Sequence, residues 1–249
     1  MTLWRLELLR LTRSRRLLAL MVVYVFFGAT GPFLARYLGE IVEQFGTDVV
    51  VQFPTPVPAD GIAQYTSNAN QIGLLVAVIV AAGGLVIDAI PEMSVFLRTR
   101  VDAVSDLLTP RLVMSFSAIA AAFLAGLAFA WYETAILLGG LSIDGMLAGA
   151  AFALVYLAFV VALVAAIGSR SGSVLTTVAV SIVVLLVLPV LGIAEALGRW
   201  LPSHLLGALD TMLRTSESAT EYLPATVVTV ALTAVLIWLA TRWAATQEL

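Results

Sequence analysis

The chain has 249 residues, 61% hydrophobic and 12% charged, with a formal net charge of −3 and a mean hydropathy of +1.04. Soluble domains carry about 25% charged residues, so this composition excludes one and points to a single all-α integral membrane domain over 1–249. The chain has no cysteine, which excludes disulfides and thiolate chemistry. All 13 basic residues are arginine, a bias of a GC-rich prokaryotic coding sequence.

Residues 1–16 come first. Trp4, Leu8, Leu11 and Leu18 follow helical spacing, while Arg5, Arg13 and Arg16 fall mostly on other faces. This is the pattern of a helix lying in the membrane interface, with guanidinium groups near lipid phosphates. The plainer reading is a basic flank that only fixes topology. The apolar run that follows is long and has no small-x-small cleavage site before Arg36, so it reads as a retained first span, not a signal peptide.

Six runs reach the roughly 20 residues that cross a hydrocarbon core: 17–35, 71–90, 112–132, 145–168, 174–194 and 223–241. Six spans return the chain to its starting side, and arginine chooses the side. Five arginines precede the first span, three lie between the second and third, one between the fourth and fifth, and one follows the sixth. That is ten against Arg36, Arg199 and Arg214 on the other side. The positive-inside rule then puts both termini in the cytoplasm of a prokaryotic plasma membrane. Trp131, Tyr132, Trp200, Trp238 and Trp243 lie near the span ends, as an aromatic belt requires.

The first outer segment, 37–70, is acidic through Glu40, Glu43, Asp48 and Asp60 and has no basic residue. Pro54, Pro56 and Pro58 alternate there, which predicts an extended path. A solvated connector explains it, and a substrate-facing or partner-facing loop is the sharper reading. Gly83-Gly84, Gly139-Gly140 and the GxxxG pair Gly145 and Gly149 predict close helix packing. In the second outer segment, 195–222, Leu197, Leu201, Leu205, Leu209 and Leu213 recur every four residues, predicting short helices packed on the spans. His204 is the only histidine, and no metal-ligand cluster surrounds it. Asp88, Glu133, Asp144 and Glu195 sit near span ends, within reach of water. No acid stands at mid-depth, which argues against proton-coupled transport.

The segment 94–108, between the second and third spans, carries the functional argument. Leu97, Val101, Val104 and Leu108 make one helical stripe, and Arg98, Asp102 and Asp106 make an adjoining charged edge. Pro91 precedes it, and Pro110 predicts its end, since proline is costly inside a helix. Two readings stand: a docking element for a soluble partner, or a helix with its apolar face on the bilayer.

With this basic first helix, six spans, helical cytoplasmic loop and apolar segment before the last span, the chain resembles the membrane permease of type-2 ABC exporters. Phe96-Leu97-Arg98-Thr99-Arg100-Val101 with Asp102, then Leu107-Leu108-Thr109-Pro110-Arg111, resemble that family's coupling loop. Ala166-Ile167-Gly168-Ser169-Arg170-Ser171-Gly172-Ser173 resembles its turn between spans four and five. Of the family's Glu-Gly-Thr, only Glu92 is present.

The resemblance implies an elbow helix over 1–16, with Trp4, Arg5, Arg13 and Arg16 at the interface. It implies a coupling loop over 91–111, with Glu92, Arg98, Arg100, Asp102 and Asp106 facing the motor. It also implies two ATP-binding subunits, a second permease subunit (a copy of this chain or a related one) and contact with membrane lipids, but no nucleic acid. The chain has no GxxxxGK[ST] phosphate loop. It is therefore expected to be non-catalytic and to bind no cofactor or metal, with ATP and Mg held by the partner ATPase. A largely apolar interior predicts amphipathic or lipid-like cargo, such as a drug, lipid or peptide. A non-transporting anchor or assembly scaffold is the alternative. A lipid-modifying enzyme is weaker, because no histidine–acid or Ser/His pair is available.

Overall fold

The computed structural model describes residues 3–45, 55–86, 104–215 and 218–246. Helices α1 (Leu3–Arg13) and α2 (Arg15–Phe45) are separated by a bend at Ser14. Next come α3 (Pro58–Asn68), a π turn (Ala69–Gly73) and α4 (Leu74–Leu85), which together make one continuous rod. Two long helices follow, α5 (Val104–Leu137) and α6 (Ile143–Ser171), and then α7 (Val174–Leu191). Short elements come next: α8 (Glu195–Gly198), a 3-10 turn (Pro202–Leu206), α9 (Ala208–Arg214) and a 3-10 turn (Ala219–Tyr222). The last helix is α10 (Leu223–Thr246). No strand occurs among the described residues. Six helices are long and apolar enough to cross a membrane.

The six predicted spans are all present, and their ends move. The first helix passes through Arg36 to Phe45. Within it Arg36 pairs with Glu40 at 3.1 Å and lies over the Tyr37 ring, so Glu40 belongs to a helix, not to a loop. The second span begins at Pro58, not at residue 71. Val57 is extended, and proline suits the first helical turn because its missing N–H has no intrahelical partner there. The Asp60 carboxylate accepts from the Val57 N–H at 2.8 Å, which caps that end. Asp48 and Pro54 lie outside the described residues, and the side chain of Glu43 is not described.

Pro110 corrects the predicted end of the 94–108 segment. It sits inside α5, and Val104 to Leu108 are the first turn of the third span. Proline there forgoes one hydrogen bond to the Asp106 carbonyl, a loss that the packing of Leu107, Leu108 and Leu112 offsets. Residues 87–103, with most of the predicted coupling helix, lie outside the described residues.

Helix α6 is the most enclosed of the six, and α7 and α10 are the least. The core is built mainly from α2, α3, α4, α5, α6 and α9 and takes in Leu185 of α7 and Ala225 and Ala240 of α10. Glycine sets two of its crossings. Gly28 of α2 faces the Gly126 carbonyl of α5 so closely that no side chain fits between them. A Cβ on Gly149 would stand 2.7 Å from the Leu209 Cα, so the GxxxG face of α6 receives α9, not another span. Leu205 and Leu209 are buried on the bundle as their spacing predicts, while Leu197 is exposed. The turn between α6 and α7 closes at Gly172, whose φ of 63° is the left-handed form glycine favours.

Candidate functional site

The two ends of the bundle carry different chemistry. At the far end, Arg214 of α9 reaches Asp60 of α3 and Asp210 of its own helix, each at 2.7 Å. Burial alone would lower the Arg214 pKa, and the bonds to the two carboxylates outweigh it and raise it. His204 stacks on Tyr222 with ring centroids 4.9 Å apart, a packing role. No group of three potential metal ligands occurs among the described residues. Asp144 is exposed in the first turn of α6. Glu133, inside α5, has one carboxylate oxygen buried with no hydrogen-bond partner among the described residues.

The α1 end holds the main cluster. Glu7 and Arg111 are both buried, and the Arg111 Nε donates to the Glu7 Oε1 at 3.1 Å. Arg10 stands 3.6 Å from the same oxygen. Arg16, in the first turn of α2, donates through Nη1 to the Gly83 carbonyl of α4 at 2.8 Å. A Cβ on Gly83 would lie 3.3 Å from this guanidinium and one on Gly84 3.8 Å, so the glycine pair makes room for arginine as well as for a helix.

Helix α1, through Glu7, and the first turn of α2, through Arg16, are thereby bonded to the two shoulders of the 87–103 segment: Arg111 after it and Gly83 before it. The side of α1 that meets the protein carries Glu7 and Leu11, and Ser14 follows at the bend. Trp4 and Leu8 are exposed, as are Arg5 and Arg13, so the predicted apolar stripe is split, with Leu11 packed on the core. An outward face of tryptophan, leucine and arginine suits a membrane interface. Arg16 is not on that face; it turns inward.

Of the predicted coupling residues, Asp106 is described and is exposed in the first turn of α5. Glu92, Arg98, Arg100 and Asp102 lie outside the described residues. Sequence reasoning missed Glu7. It is the only acid among the first 16 residues, which marks it as unusual, but nothing local points to a partner 104 positions away.

No protein-family model matches the chain, and neither a curated protein nor a solved structure matches it. The chain is a multi-pass membrane protein by its six apolar helices.

Proposed function

We propose that the chain is the membrane subunit of an ATP-driven ABC exporter, with both termini cytoplasmic in a prokaryotic plasma membrane. The observation that carries this reading is the bonding of α1 and the first turn of α2 to the two sides of the 87–103 segment, through Glu7 to Arg111 and Arg16 to Gly83. A push on that segment from a docked ATPase would move α4 and α5, and with them the bonded α1 and the start of α2, a rigid-body transmission. Asp106, exposed in the first turn of α5, borders that segment in the chain, and the sequence of the segment supplies Glu92, Arg98, Arg100 and Asp102. The sequence has no phosphate loop, so ATP and Mg belong to the partner. Cargo is an amphipathic or lipid-like molecule, carried between two permease subunits.

Purification of the tagged chain from native membranes tests the reading. An ABC ATPase is expected to co-purify, with ATP hydrolysis that falls at least tenfold when Arg98, Arg100 and Asp102 are all replaced by alanine. A complex without any nucleotide-binding subunit contradicts the reading and favours a membrane anchor.

A further inference from the structure

We infer that a second copy of this chain docks on the outward face of the α3–α4 rod, through hydrogen bonds between neutral polar side chains at mid-depth in the membrane. Gln64, Ser67, Asn68 and Gln71 share that face at helical spacing. Ser67 and Gln71 are exposed, and Gln64 and Asn68 are half-buried. Their depth follows from the packing of the rod on α2. A Cβ on Gly31 would stand 2.9 Å from the Tyr65 nitrogen, and one on Gly73 3.0 Å from the Tyr24 ring. Residues 65–73 therefore run beside residues 24–31, inside the first apolar run, 17–35. In a plain α-helix every fourth residue drifts round the axis by about 40°. The wider π turn, Ala69–Gly73, absorbs most of that drift, and Ser67, Gln71 and Leu75 all stay exposed.

A carboxamide facing acyl chains finds no partner, so this face calls for a cover that can hydrogen-bond. The lower half of the same face decides between water and protein. Ile72, Leu75 and Ile79 are exposed there, so the polar strip stops part-way and does not line a continuous aqueous path. Amides above an apolar seam are the composition of a helix–helix contact in lipid. The chemistry of the strip selects a second copy. Two copies inserted with the same topology are related by a two-fold axis along the membrane normal, and each residue near the axis meets its own counterpart at the same depth. A charged side chain would meet its like there, and residues 61–86 carry no charge. A carboxamide meets its complement, because it holds both donor and acceptor. Gln71 donates one N–H to the Ser67 hydroxyl at 3.2 Å, which leaves its second N–H and its carbonyl oxygen for the partner. The inference rests on the two-subunit part of the exporter reading and not on the ATPase.

The test is cysteine crosslinking of the full chain in native membranes, with a short bis-maleimide, since the parent has no cysteine. Ser67→Cys and Gln71→Cys are each expected to give a covalent dimer of twice the chain's mass. Leu186→Cys on α7 and Val230→Cys on α10, both exposed, should stay monomeric. Adding Gln71→Leu to the Ser67→Cys chain should lower the dimer yield about threefold, the share of one interhelical hydrogen bond. Crosslinking at 186 or 230 but not at 67 or 71 overturns this surface and leaves the two-subunit reading standing. An adduct with a protein of different mass overturns the second copy as occupant. Absence of any dimer overturns both, and rapid labelling of the 67 and 71 thiols by an impermeant thiosulfonate would then assign the face to water. A dimer at 67 and 71 with no ATPase in the membrane complex supports this inference while removing the exporter reading.

Discussion

At the residue scale, the Glu7–Arg111 pair is the contact with most to lose. Both side chains are buried, and breaking one side of a buried pair costs about 3–5 kcal/mol, because the remaining charge keeps its desolvation penalty. Glu7→Ala is expected to lower the thermal midpoint in detergent. Glu7→Leu combined with Arg111→Met should recover part of the loss, since well-packed apolar replacements avoid burying charge at all. A Glu7→Ala variant as stable as the parent would mean that the pair is not formed. The pair illustrates what a linear reading misses. Arg111 counts toward topology as one arginine among ten, and Glu7 is hidden in a basic helix. Their meeting depends on how α1 folds back over α5, which no local spacing encodes. The Arg16–Gly83 bond is hidden for the same reason, because a glycine pair in an apolar run reads as a helix contact.

At the element scale, apolar length placed all six spans, because the bilayer needs a fixed rise of helix. The ends were less legible. A helix continues past the hydrocarbon core where its polar residues find partners, as Arg36 does with Glu40 and Asp60 does with Val57 and Arg214. The start of the second span was masked by Gln64, Ser67, Asn68, Asn70 and Gln71, yet Ile62 and Tyr65 there are fully buried and the Tyr65 hydroxyl bonds the Phe123 carbonyl at 2.7 Å. Proline misled at one place and informed at another: Pro110 lies within α5, and Pro58 starts α3.

Two predictions belong to this scale. Pro110→Ala should preserve the fold and raise the thermal midpoint, since it restores the bond to the Asp106 carbonyl. A lower midpoint would show that the proline is needed for the local geometry. Gly149→Val should cost about 1–3 kcal/mol by overpacking and increase hydrogen exchange over 202–214, because its Cβ would strike Leu209. Gly140→Ala meets nothing within 4 Å and serves as the neutral control.

At the scale of the whole molecule, α7 and α10 show most of their apolar surface, as helices facing lipid or a second subunit do. The orientation of the bundle is open to a direct check, because the parent has no cysteine. In intact cells a membrane-impermeant maleimide should label Ser218→Cys and should label Thr12→Cys only after lysis. The reverse pattern would overturn the cytoplasmic placement of α1. The central claim is that work reaches this chain from an ATPase docked on the segment between α4 and α5. The most direct measurement is photocrosslinking in native membranes from a reactive group on Asp106→Cys, which is exposed in the first turn of α5. The account predicts a covalent adduct with an ABC ATPase subunit, its yield altered by ATP. An adduct with lipid alone, in membranes where that ATPase is present, would contradict it.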